Sequence, residues 1–526
     1  MTLSKVKQDL IAEIEKRVED HVLEPSNAEL LNKLIAQADN DNEAIAIAAL
    51  GTTYKRTGLH FDKRLERLTH DIRYFRKNEA LSFHTDDNRP KHKLIVGDNY
   101  EALQNLLVQY TGAIDVIYID PPYGKDSMGE FAQTNYQNAI TRDNLLSMLY
   151  PRLQLAKQLL SDSGVIFCSI DDKNQAYVKC LFDEVFGESN FIGCVSWLRN
   201  YASANDSKRF ASVIDYILVY GKTQNFTRNL LPRTEKQNQL YKYDSQDGNG
   251  KWRPDNLSVR SYTTNYDYPI VNPNTGVSYN PPKGRCWMTN AETVERWIKE
   301  GRVFFGQDGK GAPQLKRYLK EVQDGVVPTT FWSYEECGHN DEARRELKDI
   351  FIDPPFDSPK PIRLLLQVLR IASKPDSIIL DFFAGSGTTG HAVLDLNRSE
   401  EKEGDLFAET NTGGNRTFIL CQMNEKTDTT PNGIANDVTA KRLKRIMTGE
   451  CYDGTKDFEW IKKNKPYGGN LDVYEIDKVA DFEYTEGKSP FDVIDETLYG
   501  LPRFTTLQEK IDWVCTHFSN ARKQLN

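Results

Sequence analysis

Two short apolar runs, Ile114 to Ile119 and Ile378 to Leu380, are dense in β-branched residues and read as strands buried on both faces. Similar runs follow Lys93 (Leu94 to Val96), Gly164 (Val165 to Ile170), Phe191 to Trp197, Val213 to Tyr220 and Phe418 to Gln422. Between them the apolar spacing changes to the helical period over Tyr100 to Tyr110, Arg142 to Leu160, Pro361 to Ala372, Thr388 onward and Ile434 to Met447. Strands alternating with helices predict an α/β fold around a largely parallel sheet. Residues 1–80 are instead charged and helix-periodic. Leu10, Ile14, Val18 and His21 share one face, Leu30, Leu31, Leu34 and Ile35 a second, and Ala44 to Leu50 make a third short helix. Tyr54 to Phe75, with interleaved Lys, Arg and aromatics, reads as a solvated helix face. From Gly221 to Asp349 the periodicity weakens and loops rich in Asn, Gly, Ser, Tyr and Pro dominate.

The candidate chemistry sits where the strands stop. Ile119 is followed by Asp120-Pro121-Pro122-Tyr123, in which two prolines stiffen the turn and present a carboxylate and an aromatic ring at a strand's carboxyl end. In open α/β sheets that edge is where ligands bind. Leu380 is followed by Asp381-Phe-Phe383-Ala384-Gly385-Ser386-Gly387-Thr388, a tight glycine turn into a helix whose free N–H groups suit close approach to a ligand. The first strand ends at Gly97-Asp98, where Asp98 also suits a plain helix cap. The Phe418 strand leads to Glu425, and an acidic residue there grips ribose hydroxyls in nucleotide-binding folds. Asp171-Asp172 precede a helix and read as caps. A second copy, Asp353-Pro-Pro-Phe356, lies too close to the glycine turn, and lacks the strand–helix–strand continuation, to be the catalytic one.

Together, Asp-Pro-Pro-Tyr (120–123) and Asp-x-Phe-x-Gly-x-Gly-Thr (381–388) resemble motifs IV and I of the amino-methylating DNA methyltransferases, in the permuted order of the β class. The helical N-terminal stretch, the long middle segment and Lys360-Pro361 ahead of the glycine turn look most like the modification (Mod) subunit of Type III restriction–modification systems. That resemblance implies a Rossmann-like S-adenosylmethionine-dependent fold with a mixed seven-stranded, circularly permuted sheet in which residues 213–220 run antiparallel. It implies Asp120, Pro121, Pro122 and Tyr123 as catalytic residues. The implied cofactor ligands are Asp98 (adenine ring), Lys360 (near the amino-acid end), Asp381, Phe383, Ala384, Gly385, Ser386, Gly387, Thr388 and Glu425, with no metal. The expected reaction is site-specific methylation of adenine N6 after base flipping. Cytosine N4, an RNA substrate, or a DNA-binding specificity module without turnover are the alternatives. Double-stranded DNA, a second copy of the chain and a restriction (Res) subunit are the implied partners. After Tyr123 the chain reads Gly-Lys-Asp-Ser-Met-Gly-Glu-Phe where the family carries an Asn-Thr-rich stretch, so that loop's contacts do not carry over.

The implied organisation is a helical extension (1–90), a catalytic half (91–220), an inserted target-recognition domain (221–349), a cofactor half (350–450) and a C-terminal segment (451–526). The 526 residues are long enough for two or three cores. Eight scattered cysteines and eight scattered histidines argue for reduced thiols and against zinc. No apolar window reaches the ~18 residues of a membrane span, and the N-terminus lacks a signal-peptide pattern, so a cytoplasmic protein is expected. The net charge of −9 disfavours a polyanion partner until its distribution is considered. Residues 199–320 hold 20 basic and 11 acidic side chains, +9, which leaves −18 elsewhere. A basic island, with Lys251 and Arg253 among its candidate contacts, marks where DNA is expected to bind.

Overall fold

Strands buried on both faces need neighbours on both edges and helices on both sides, and that requirement organises the larger of two compact units. The computed structural model describes residues 3–19, 23, 25–50, 72–122, 141–201, 210–246, 248–321, 325–404 and 414–479. One unit comprises Met1–Thr227 with Thr329–Asn526 and the other Arg228–Pro328.

The strands of the larger unit are β1 (Ile72–Lys77), β2 (Phe83–His84), β3 (Lys91–Val96), β4 (Ile114–Ile119), β5 (Leu160–Ile170), β6 (Phe191–Leu198), β7 (Ile214–Gly221), β8 (Phe331–Trp332), β9 (Ile378–Asp381), β10 (Thr417–Gln422) and β11 (Asn470–Val479). They form one sheet in the order β1-β11-β3-β10-β9-β4-β5-β7-β6-β8, with β2 also on β11. The inner seven, β3 to β6 in that order, are the expected mixed sheet. They are parallel except for β7, which runs antiparallel to β5 and β6.

The full sheet has eleven strands rather than seven. β11 adds to β3 in parallel, β1 and β2 add to β11, and β8 adds to β6. These additions cover edges that would otherwise expose unpaired backbone groups. Two expectations change in consequence. Residues 72–77 and 83–84 are strands joined by a turn and not part of a helical extension, and Arg76 pairs with Glu475 and Asp477. Part of the unread C-terminal segment is β11, whose Leu471 and Val473 are fully buried.

Helices α4 (Asn99–Tyr110), α5 (Thr141–Leu159) and α6 (Gln175–Phe186) cover one sheet face, where Leu103, Leu149, Leu153 and Phe182 meet Ile117, Ile119, Ile166 and Leu380. Alternate strand residues, such as Val116, Val165 and Ile379, are equally buried. Helix α7 (Ile362–Ala372) packs against β4 and against α8 (Thr388–Gly404), and α8 packs on β10. The β9/β4 border, registered at Ile379–Val116 and Leu380–Ile117, is where the strand order turns. One half of the sheet continues through β10 and the other through β5, and this is the position at which doubly wound sheets bind ligands.

Helices α1 (Lys5–Glu19), α2 (Pro25–Gln37) and α3 (Asp41–Leu50) share a small core of Ile14, Ala28, Ile35, Ala44 and Ala48, with Leu10, Val18 and Leu31 against it. The apolar face of α2 is therefore Ala28, Leu31 and Ile35, whereas Leu30 and Leu34 face solvent. His21 lies outside the described residues.

The smaller unit holds a four-stranded antiparallel sheet (303–304, 314–318, 251–256, 243–244) and a core of Leu257, Ile270, Trp287, Val294, Val303, Phe305 and Leu315. It is narrower than the 221–349 span expected. Residues 340–350 form a helix of the larger unit instead. Among the described residues, no helix is long and apolar enough to cross a membrane.

Candidate active site

Asp120 caps β4 at the β9/β4 border. Its Oδ2 accepts a hydrogen bond from Lys360 Nζ at 2.6 Å, an ion pair whose side chains are only 10% (Lys360) and 23% (Asp120) exposed. Its Oδ1 is buried and has no hydrogen-bond partner among the described residues. A buried carboxylate oxygen without a donor is costly, so the site is built to receive one. Pro121 is buried and Pro122 half-buried, while Tyr123 and the loop expected over Lys125 to Ala139 lie outside the described residues.

The surroundings of Asp120 are acidic. Asp215, at the start of β7, is buried beside Arg199, and burial lifts its carboxyl above the ordinary range. Burial, with Asp120 nearby, also pushes the Cys168 thiol and the Tyr118 phenol up.

The glycine turn follows β9. Gly385 (φ +52°) and Gly387 (φ +79°) both occupy the left-handed region that penalises any side chain. Gly385 N–H donates to Gln422 Oε1 at 2.6 Å, and its carbonyl accepts from Thr439 Oγ1 at 2.7 Å. A Cβ at Gly385 would lie 3.2 Å from the Phe356 ring, so the second Asp-Pro-Pro-aromatic copy supplies an aromatic wall to the turn. A Cβ at Gly387 would lie 3.2 Å from the Thr439 methyl.

Several residues expected as direct cofactor ligands turn inward. Asp381 is 2% exposed, and its two oxygens accept from Phe383 N–H and Thr389 Oγ1. Burial lifts its carboxyl to about 7. The Ser386 and Thr388 hydroxyls, 3.2 Å apart, receive the Arg442 guanidinium from behind the turn. These side chains hold the shape of the loop, and its backbone is what remains for a ligand. Ala384 N–H donates to Cys421 O, and Phe383 is half-buried on the core.

Asp98 caps α4 by accepting from Tyr100 N–H at 2.7 Å, and Arg152 reaches both its oxygens at 3.0 and 3.2 Å. The same Arg152, 1% exposed, donates to Asn99, whose amide donates to the Phe382 carbonyl beside the glycine turn. Glu425 lies three residues past the end of β10, half-buried, with its carbonyl accepting from Ile434 N–H. Asp171 accepts from the backbone and side-chain amides of Asn174, which braces the turn ahead of α6; it does not cap the helix itself, the role expected from sequence.

Arg442, Thr439, Gln422, Arg152 and Asn99 were not singled out by sequence. The two arginines did carry a signal. Arg152 falls among Met148, Leu149, Leu153 and Ala156, and Arg442 four before Ile446, so each is a cation on a buried helical stripe.

In the smaller unit, several basic side chains are already engaged. Arg317 and Arg253 lie against Asp255, Arg302 pairs with Glu321, and Lys316 stands 5.0 Å over the Trp252 ring. Lys242, Lys251, Arg260 and Lys283 are exposed, whereas Lys208 and Arg209 lie outside the described residues.

The family model described as DNA methylase matches residues 114–429, and a model described as an uncharacterised conserved protein matches 7–115. The Type III restriction-modification enzyme StyLTI Mod subunit of Salmonella typhimurium is 34% identical over 385 residues, covering 68% of this chain and 55% of its own length. The chain thus spans about half of that relative. The Type II methyltransferase M.KpnI of Klebsiella pneumoniae is 30% identical over 403 residues, covering 70% of this chain and 89% of its own. A solved PvuII DNA methyltransferase (cytosine-N4-specific) aligns with a TM-score of 0.36 at 10% identity, over 71% of this chain and 97% of that one.

Proposed function

The chain belongs to the DNA methylase family, and from that premise we propose that it transfers a methyl group from S-adenosylmethionine to adenine N6 at a specific site in double-stranded DNA. In this reading it is the modification and recognition subunit of a Type III restriction–modification system. The observation that carries the chemistry is Asp120 Oδ1 at the β9/β4 border, beside the glycine turn, buried and without a hydrogen-bond partner among the described residues.

The residues fit the cofactor. The border joins a buried acceptor lacking a donor to a turn whose side chains are tied behind it, leaving backbone and the Phe356 ring in front. The turn from Phe383 to Gly387, with Asp98 and Glu425, would hold the cofactor. When bound, it supplies a methyl group on a positively charged sulfur.

An exocyclic amine on adenine is a weak nucleophile because its lone pair is delocalised into the ring. Asp120 Oδ1 accepts one N–H and the Pro121 carbonyl the other, which favours the rehybridised nitrogen, and Tyr123 stacks on the base. As the nitrogen gains the methyl and becomes cationic, the Asp120 carboxylate stabilises it and takes the proton or passes it to water. Alignment and electrostatics supply most of the acceleration. A duplex buries the amine, so the base is flipped out at a cost of a few kcal/mol. Asp at position 120 supports adenine over cytosine by resemblance. A Res subunit and a second copy of the chain complete the assembly, in the cytoplasm with its DNA.

Long-read sequencing of DNA from a methylation-free host expressing the protein should report N6-methyladenine at one short motif. N4-methylcytosine at that motif would replace the base assignment, and unmodified DNA would overturn the reading.

A further inference from the structure

Resemblance alone places Lys360 near the amino-acid end of the cofactor, yet in the structure its ammonium sits on Asp120. We infer that Lys360 is a positioning residue for the methyl-transfer step: by holding Asp120 Oδ2 it leaves Oδ1 as the oxygen that meets the amine. The inference rests on the methyltransferase reading and assigns a role within that site.

A free carboxylate can present either oxygen, and rotation about its last bond exchanges them. A donor on one oxygen removes that freedom. Here the ammonium is 2.6 Å from Oδ2, while Oδ1 is buried and has no hydrogen-bond partner among the described residues. A lysine buried to this degree is desolvated at a cost that only a well-made pair offsets, so the contact is a designed element of the site and not an incidental surface bridge.

The backbone presenting Lys360 is stiff. Pro359 and Pro361 flank it, fixing their own φ and holding Lys360 extended. The segment is also anchored on both sides. Phe356 lies on Gly385, and just past Pro361 the Arg363 guanidinium clasps both Glu342 oxygens at 2.7 and 2.6 Å. Ile362 N–H donates to Glu346 Oε2. A lysine on such a segment has little play, and its partner lies 240 residues away in the chain.

Among the described residues, Tyr118 on β4, Cys168 on β5, Asp171 at its end, Asp215 with Arg199 by β7, and Asp381 on β9 are the titratable and charged groups about the pair. Of the cations, Arg199 is engaged with Asp215, and Lys360 is the one that meets Asp120 Oδ2.

The test compares wild type, Lys360→Met and Lys360→Arg, each checked for folding by circular dichroism. Labelled S-adenosylmethionine is the donor and genomic DNA from a methylation-free host the acceptor. At saturating cofactor, Lys360→Met should transfer methyl at least tenfold more slowly, with S-adenosylmethionine affinity changed less than threefold by calorimetry. Lys360→Arg, which keeps a donor for Asp120 Oδ2, should recover at least a third of the wild-type rate. A Lys360→Met protein that binds cofactor tenfold more weakly but turns over normally at saturation would overturn the inference and return Lys360 to the cofactor. So would a Lys360→Arg protein that transfers methyl as slowly as Lys360→Met. Wild type labelling no DNA would instead remove the methyltransferase reading, and this inference with it.

Discussion

Asp120 and Asp353 share the same local sequence, Asp-Pro-Pro followed by an aromatic, and differ in everything around them. Asp120 ends a buried strand and is held by Lys360, whereas Asp353 is exposed in a loop. Asp120→Ala should abolish methyl transfer while leaving S-adenosylmethionine binding within a few-fold of wild type, and Asp353→Ala should keep most activity. The opposite pattern in folded proteins would exchange the two assignments. At Gly387 the obstacle to a side chain is the Thr439 methyl and a φ of +79°, so Gly387→Val strains the turn itself. We expect it to remove cofactor binding and to cost roughly 1–2 kcal/mol of stability from the backbone alone. Glu425→Ala should weaken cofactor binding by less, on the order of 1–3 kcal/mol. Calorimetric titrations showing wild-type affinity for both variants would contradict these roles.

At the scale of elements, β9, the glycine turn and α8 are bound into one piece by Asp381, which joins Phe383 N–H to the Thr389 hydroxyl of α8. Its carboxyl is raised to about 7 by burial, so the folded protein holds this proton more tightly than the unfolded chain, whose Asp ionises near pH 4. Stability from this group is therefore fully present below about pH 4 and is lost as pH rises toward 7, by at most about 1.4 kcal/mol per unit. Asp381→Asn removes the titration. Urea midpoints at pH 5 and pH 8 should show wild type losing stability relative to Asp381→Asn over that interval, and parallel profiles would mean that Asp381 stays ionised in the fold. The catalytic strand β4 has the opposite design, with one carboxylate oxygen tied and the other left open. Neighbouring strand ends thus serve one as scaffold and one as reagent.

For the whole molecule, charge is divided between the two units. Residues 228–328 carry 16 basic and 11 acidic side chains, +5, against −9 for the chain. With their own core and sheet, they form an exchangeable unit. Replacing them with the equivalent unit of a related enzyme should transfer the methylated sequence to the hybrid. An active hybrid that still marks the original site would move specificity to the N-terminal helices or the C-terminal segment. DNA binding should weaken steeply with salt. Lys251→Ala, at an exposed position, should weaken all sequences alike and flatten the salt dependence by about one unit of slope. A loss confined to one site sequence would make Lys251 a base-reading residue instead.

The strands, the helices and the two motifs were legible because each is local. Apolar runs that must be buried, prolines that stop a strand and glycines that permit a left-handed turn act within a few residues of one another. Even the antiparallel strand, and the placing of Asp120 and the glycine turn at the carboxyl ends of strands, followed through resemblance and the general behaviour of parallel sheets. What pairs across the chain was not legible. Lys360 on Asp120, Arg442 behind the turn, Phe356 on Gly385 and β11 at the sheet edge join residues that no spacing rule connects. The resemblance assigned Lys360 to the cofactor, and Arg442 showed only as a cation on a buried helical stripe. Only the tertiary structure selected their partners, because a buried charge takes whichever counter-charge or acceptor the packing leaves beside it.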